Sequence, residues 1–381
     1  MKVSNLSIYS NKVTFNGYDA IPLNGFYMQG LTKTVEQNIF NEMKAIAEKE
    51  KLELYLNPNN KKISNSMPKF FEIDPTLSIW AQDNKAFVEN YRGKQILCSS
   101  KEKILPSSEH IVLGNYETNI AKFMPRGGDY YLGYKGNNEK WLLINGFCVA
   151  DKNSFEQIGD NPTEDILCKI FGIKPENIFK LNIFGNDLDE IVRPIGFPYI
   201  LVNDYNKSAA MLNKMKEAYP EANESYDLMN DYIKNRMASD EDLKLDPDYI
   251  CKKLEEYGFK PIRIGASFSQ SINFINAIAL KNNNNKITYI TNSTKHSSPE
   301  LEYLEQLFDN ELRKRVEDIE TTYYVSGGIN NEKQNEDVGI FSKILSIHSM
   351  PKENGIMNIL ANRHGGIHCM TAEIPKFDKT I

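Results

Sequence analysis

Three neighbouring segments decide how this chain reads: Trp141-Leu142-Leu143-Ile144-Asn145-Gly146-Phe147-Cys148-Val149-Ala150, then Asn161-Pro162-Thr163-Glu164-Asp165-Ile166-Leu167-Cys168-Lys169-Ile170-Phe171-Gly172, then Gly185-Asn186-Asp187-Leu188-Asp189-Glu190. The first is a short apolar run of strand character bounded by turn residues. The second predicts a helix, with Asn161 as its cap and Pro162 at its first position. Ile166, Leu167, Ile170 and Phe171 form its apolar stripe, and Gly172 ends it. In the third, Asp187 and Asp189 have strand spacing, which would aim both at one face.

The same alternation continues on either side. Helical stripes run over Thr34 to Glu50, where Thr34 and Gln37 are placed as a capping box, and over Ser208 to Tyr219 and Pro247 to Tyr257. Another begins at Ser298-Pro299 and carries Leu304, Leu307, Phe308 and Leu312. Strand patterns fall at Tyr199 to Val202, Pro261 to Ile264, Ile275 to Leu280 and Lys286 to Thr291, the last two joined by an asparagine hairpin loop at 282–285. Strand–helix–strand units recur roughly every 50–70 residues without a clean sequence repeat. The stretch 205–248 is richer in helix and charge and reads as an excursion from that repeat. No linker separates independent domains, so the expectation is one α/β domain over residues 1–381, of which residues 1–70 are the least defined by pattern.

Charge and cysteine usage narrow the function classes. The 45 basic and 51 acidic residues leave a net charge of −6 with no basic block, so no nucleic-acid partner is expected. Mild acidity suits small cationic partners better than anionic ones. The five cysteines are scattered, with no CxxC pair and no Cys/His zinc spacing, which argues against a disulfide framework and a structural zinc site. With no P-loop, no GxGxxG after a strand and no HExxH, no cofactor and no metal are expected. A cytoplasmic location with reduced thiols follows as an expectation. Neither an apolar leader nor a membrane-spanning run of ~20 residues is apparent, so no membrane partner is expected.

Candidate chemistry concentrates in His364-Gly365-Gly366-Ile367-His368-Cys369-Met370-Thr371. Two glycines before a cysteine permit a tight turn and close ligand approach, and an adjacent histidine favours the thiolate. A lone cysteine is more often a buried small hydrophobe, so partners are needed. Asp83 in Trp80-Ala81-Gln82-Asp83 and the pair Asp187 and Asp189 are candidates. Separated carboxylates suit a planar guanidinium, and a thiolate could attack its electron-poor carbon. The alternative is that these acids are solvated or pair with surface lysines. Cys98, Cys148, Cys168 and Cys251 read as core residues, and His110 and His296 as exposed loop residues.

Taken together, these segments resemble the guanidino-group-modifying (pentein) enzymes, with a layout similar to the agmatine and peptidylarginine deiminases. The Gly-Gly-Ile-His-Cys-Met-Thr segment with Glu373-Ile374-Pro375 is similar to their nucleophile segment. Trp80-Ala81-Gln82-Asp83 resembles the first guanidinium-binding segment, and Gly127-Gly128-Asp129 the Glu-Gly-Gly-Asp segment. The stretch from Trp141 to Glu190 ends in a motif like Gly-His-Val-Asp. The resemblance implies a five-bladed α/β propeller of pseudo-fivefold ββαβ units around a central pocket. It implies Cys369 as the nucleophile, Asp83 and Asp189 as the carboxylates that hold the guanidinium, and Trp80, Asp129 and Arg126 as further substrate-binding residues. The implied reaction is hydrolysis of a C–N bond in agmatine, arginine or a protein arginine side chain, with transfer of the amidino group to an amine as the alternative.

Two positions depart from the family pattern. Asp187 stands where the family keeps its acid/base histidine, and Arg126 where it keeps the glutamate that orients that histidine. A histidine near pKa ~6.5 both gives and takes a proton at neutrality, whereas an aspartate near ~3.9 is a poor donor. The paired change leaves charges that are again complementary, so an Arg126–Asp187 ion pair is expected, with Asp187, His364 or His368 as candidate proton handlers. A binding-only protein that holds a guanidinium is the second class of reading. Oligomeric state is not legible.

Overall fold

The computed structural model describes residues 23–29, 43–51, 53–57, 85–89, 95–99, 125, 127–135, 139–150, 161–183, 187–238, 245–269, 272–281, 287–293, 298–316, 319–326 and 371–375. These form mixed α/β structure in five small sheets. In chain order the elements are β1 (Leu23–Gln29), helical residues 43–50 (α1), β2 (Glu53–Asn57), β3 (Lys85–Glu89) and β4 (Gln95–Ser99). Then come β5 (Tyr130–Lys135), β6 (Glu139–Asn145), α2 (Glu164–Phe171), β7 (Ile178–Leu181), β8 (Val192–Pro194) and β9 (Tyr199–Asn203). Three helices follow, α3 (Tyr205–Ala218), α4 (Asn223–Met237) and α5 (Pro247–Glu256), and then β10 (Lys260–Ile264). The remainder is β11 (Ile278–Lys281), β12 (Ile287–Ser293), α6 (Pro299–Arg315), β13 (Ile319–Ser326) and β14 (Thr371–Pro375).

Four of the sheets share one plan. A middle strand pairs antiparallel on one side, and a helical crossover brings a parallel strand to the other. The sheets are β5-β6-β7, β8-β9-β10, β11-β12-β13 and β14-β1-β2, and β3-β4 is an antiparallel pair. Parallel neighbours need a crossover, which the amphipathic helices supply. The helix of one unit approaches a strand of the unit before it: α2 against β3, α5 against β7, α6 against β10. The units therefore stand in chain order.

An asparagine closes the middle strand of two units in the same way. Asn145 Oδ1, at the end of β6, accepts from the Ile183 amide two residues past β7, at 3.3 Å. Asn203 Oδ1, at the end of β9, accepts from the Ala266 amide two residues past β10, at 3.0 Å, and from Ser267. Both asparagines are buried, so each satisfies backbone donors that leave the sheet without water to replace it.

Several helix predictions agree with the structure. Gly172, with φ at 61°, ends α2 in the left-handed region that glycine enters without strain. Pro299 opens α6, which buries Leu301, Leu304, Phe308 and Leu312 in a continuous stripe, while Leu307 is only partly buried. The excursion contains α3, α4 and the start of α5. Asp204 caps α3, accepting from the Asn206 and Lys207 amides at 3.0 and 3.4 Å.

Other expectations are corrected. Asn161 does not cap α2: it donates to the Phe147 carbonyl at 3.0 Å, and the cap position is Thr163. Proline therefore lies before the helix rather than at its first position. The Trp141–Ala150 run is strand only to Asn145, because the Asn145 side chain accepts from the Phe147 amide and draws residues 146–148 into a tight turn. β11 starts at Ile278 rather than Ile275, since Asn273 Oδ1 accepts from the Ile275 and Asn276 amides and holds them out of the ladder. Thr34 and Gln37 lie outside the described residues. Cys148, Cys168 and Cys251 are half-buried at core margins rather than within the core, and nothing is described of the Cys98 side chain.

Two apolar clusters hold the described units together. The smaller gathers Leu132, Leu142, Ile144, Leu167, Ile170 and Phe171 under α2. The larger runs from β5 to α6, and Phe259 is its joint: Trp141, Phe179 and Phe197 set their rings 5.2, 5.7 and 5.2 Å from it. Such aromatic pairs add about 0.5–1.5 kcal/mol each to the burial itself.

Candidate functional site

Two segments singled out in the sequence meet in space. Gly127–Asp129 forms a buried 3-10 turn before β5, and Leu188–Glu190 forms another before β8. A β-carbon on Gly128 would stand 2.9 Å from Asp187 Cβ and 3.0 Å from its Oδ2. Only glycine lets the first turn come this close to the second. The Gly-Gly-Asp pattern is thus a packing requirement of the Asp187 segment.

Asn145 fixes the geometry from below. Its Nδ2 donates to Asp129 Oδ1 at 3.3 Å and to the Ile183 carbonyl at 2.8 Å, tying the first carboxylate to the chain that leads toward Asp187. Tyr131, two residues past Asp129, donates its hydroxyl to the Val192 carbonyl at 2.9 Å and joins β5 to β8. The fully buried Arg193 of β8 carries its guanidinium 5.2 Å above the Tyr131 ring. A buried guanidinium requires charge compensation nearby. The buried carboxylates of Asp129 and Asp189 lie in the two segments that flank β5 and β8.

The strand-spaced reading of Asp187 and Asp189 is corrected here. Asp187 is the residue that enters a 3-10 turn and is half-buried, while Asp189 lies inside the turn at 1% exposure. The two carboxylates occupy different environments rather than one strand face. Asp189 is not a solvated acid, so the surface alternative fails for it. Trp80, Asp83, Arg126, His364, His368 and Cys369 lie outside the described residues, and with them the expected Arg126–Asp187 pair.

Sequence reading gave no role to the neighbour of these acids. Glu190 ends the turn that Asp187 opens, with its Oε2 3.8 Å from Arg236 Nη2 of α4. Burial pushes its carboxyl up to about 7; the Arg236 cation works against this and the Asp187 charge adds to it. Tyr205 of α3 and Tyr232 of α4 complete the cluster. Burial raises both phenols, and the Arg236 guanidinium lies 5.1 Å over the Tyr232 ring. The Tyr232 hydroxyl is 3.3 Å from Ser267 Oγ. By contrast, burial pushes the Cys251 thiol up to about 11, which makes it a poor nucleophile.

Among the described residues, no group of three His, Cys, Asp or Glu side chains converges as metal ligands would. No helix among them is long and apolar enough to cross a membrane. What the described arrangement offers is a set of buried and half-buried carboxylates on two adjoining turns, one of them poised to exchange a proton near neutrality.

No family model and no curated protein matches this chain. Solved structures of agmatine deiminases are similar in backbone. That of C. jejuni is 12% identical with a TM-score of 0.49, and that of Enterococcus faecalis 11% identical with a TM-score of 0.49; each comparison covers 95% of this chain and 96% of the other.

Proposed function

We propose that this chain is an enzyme that modifies a guanidino group, built as a five-bladed α/β propeller with Cys369 as its nucleophile. One observation carries the proposal: the Gly127-Gly128-Asp129 turn packs against Asp187, so two motifs far apart in sequence contribute carboxylates to one place. The repeated ββαβ plan in serial order supports the propeller. Asp83 and Asp189 accept the guanidinium N–H donors, Trp80 lines the pocket, and Asp129 and Arg126 complete the substrate-facing set.

In the reaction, the Cys369 thiolate forms a C–S bond to the guanidinium carbon. A C–N bond then breaks, and ammonia leaves once its nitrogen has gained a proton. Water attacks the same carbon and gives up a proton, the C–S bond breaks, and a ureido product departs with the thiolate regenerated. Agmatine, arginine and a protein arginine side chain all present the required group. Asp187 in the acid/base position favours a second reading, in which the chain binds a guanidinium without turning it over.

Incubation with agmatine, arginine and arginine-containing peptides, read out as ammonia and ureido product, separates these readings. Turnover that vanishes in Cys369→Ala supports the enzyme. Thermal stabilisation by a guanidino compound without product supports binding alone. Neither turnover nor stabilisation by any of the three compounds would sink both.

A further inference from the structure

We propose that Glu190 is a positioning residue of this site, its carboxyl facing the Arg236 guanidinium from the turn that Asp187 opens, so that helix α4 sets the charge beside Asp187. As an effect on catalysis, this rests on the reading of Asp187 as the proton handler. The geometry has three parts. Glu190 closes the same short turn that Asp187 opens, its amide bonded to the Asp187 carbonyl at 3.2 Å. Its backbone carbonyl accepts from Asn273 Nδ2 at 3.3 Å, so the turn is anchored from the next unit. Its side chain, 14% exposed, faces Arg236 at 3.8 Å.

Among the described residues, the groups facing this carboxyl are of known sign. Asp187 on its own turn opposes its ionisation. Arg236 on α4 favours it. The phenols of Tyr205 on α3 and Tyr232 on α4 are held neutral by burial. Burial holds a proton on Glu190 up to about pH 7, the Arg236 cation works against this and the Asp187 charge adds to it. An aspartate alone is a poor proton donor, whereas a carboxyl that keeps its proton to about pH 7 can both give and take one near neutrality. The proton that the family's histidine would carry is thus held on the Glu190 carboxyl, and the arginine of the excursion tunes it.

The experiment is a pH titration followed by carboxyl NMR on protein labelled at glutamate, run alongside the activity profile. The signal lost in Glu190→Gln identifies Glu190. Asp187→Asn should lower its midpoint, and Arg236→Gln should raise it. In the turnover assay, Glu190→Gln should remove the limb of the kcat/KM profile near neutrality and change the ratio of rates at pH 6 and pH 8 about tenfold. A purely structural role would instead lower the rate equally at every pH. A Glu190 midpoint unmoved in both Asp187→Asn and Arg236→Gln overturns the proposal, as does a wild-type pH profile in Glu190→Gln. If the midpoints move as expected and no guanidino compound is turned over, the electrostatic coupling stands and the enzymatic reading falls.

Discussion

At the residue scale, Gly128 and Glu190 carry the clearest consequences. A methyl group on Gly128 would sit 2.9 Å from the Asp187 β-carbon, inside van der Waals contact, and could be relieved only by moving one turn away from the other. Gly128→Ala should cost about 1–3 kcal/mol, measured by urea unfolding, and should disturb Asp187 before any remote part of the fold. Glu190 gives stability a pH dependence of unusual sign. Its carboxyl sits at about 7 in the folded chain and near ~4.3 when unfolded, so the native state holds more protons between those values. Its contribution is fully present below pH ~4.3 and is lost as pH rises through about 7. Relative to Glu190→Gln, the native protein should lose about 4 kcal/mol at most between pH 4 and pH 8, read from denaturant midpoints across that range.

At the element scale, helices were more legible than the connections between them. The stripe and stop signals of α2 and α6 lie in consecutive residues, so Gly172 and Pro299 announce their roles locally. Asn161 misleads because its side chain has a tertiary partner, Phe147, that outcompetes the capping position. The asparagine device is hidden for a related reason: Asn145 reaches its partner 38 residues on and Asn203 reaches Ala266 63 residues on, so no fixed period exists to detect. In the site, Asp189 and Asp129 could be marked by resemblance, whereas the 3-10 turn around Asp189 and the Glu190–Arg236 approach depend on how the excursion folds back. Phe259 offers the test at this scale, since three rings from two successive units converge on it. Phe259→Ala should destabilise by about 3–5 kcal/mol, and the loss should fall on both units together, detectable as a joint loss of amide protection in β7 and β10.

At the scale of the whole molecule, the units follow one another in chain order, yet one sheet is assembled from distant parts. Strand β14 pairs antiparallel with β1, Phe26 opposite Glu373, and β1 in turn pairs with β2. Deleting residues 371–381 removes that antiparallel neighbour. Hydrogen exchange should then show β1 and β2 losing protection while α3 to α6 keep theirs, and turnover should be abolished if Cys369 is the nucleophile. Uniform loss of protection across the chain would instead show that the units do not fold semi-independently.

The β1–β14 pairing also has a kinetic meaning. Its partners are more than three hundred residues apart, so joining them closes a far longer loop than any hairpin in the other sheets. Neighbouring units can form early from local contacts, but this seam carries a late entropic toll unless the units between have already brought its edges near. Cys369 lies two residues before β14. If Cys369 is the nucleophile, it adjoins a seam that closes late, and reactivity should return on refolding only after the units between β1 and β14 have formed.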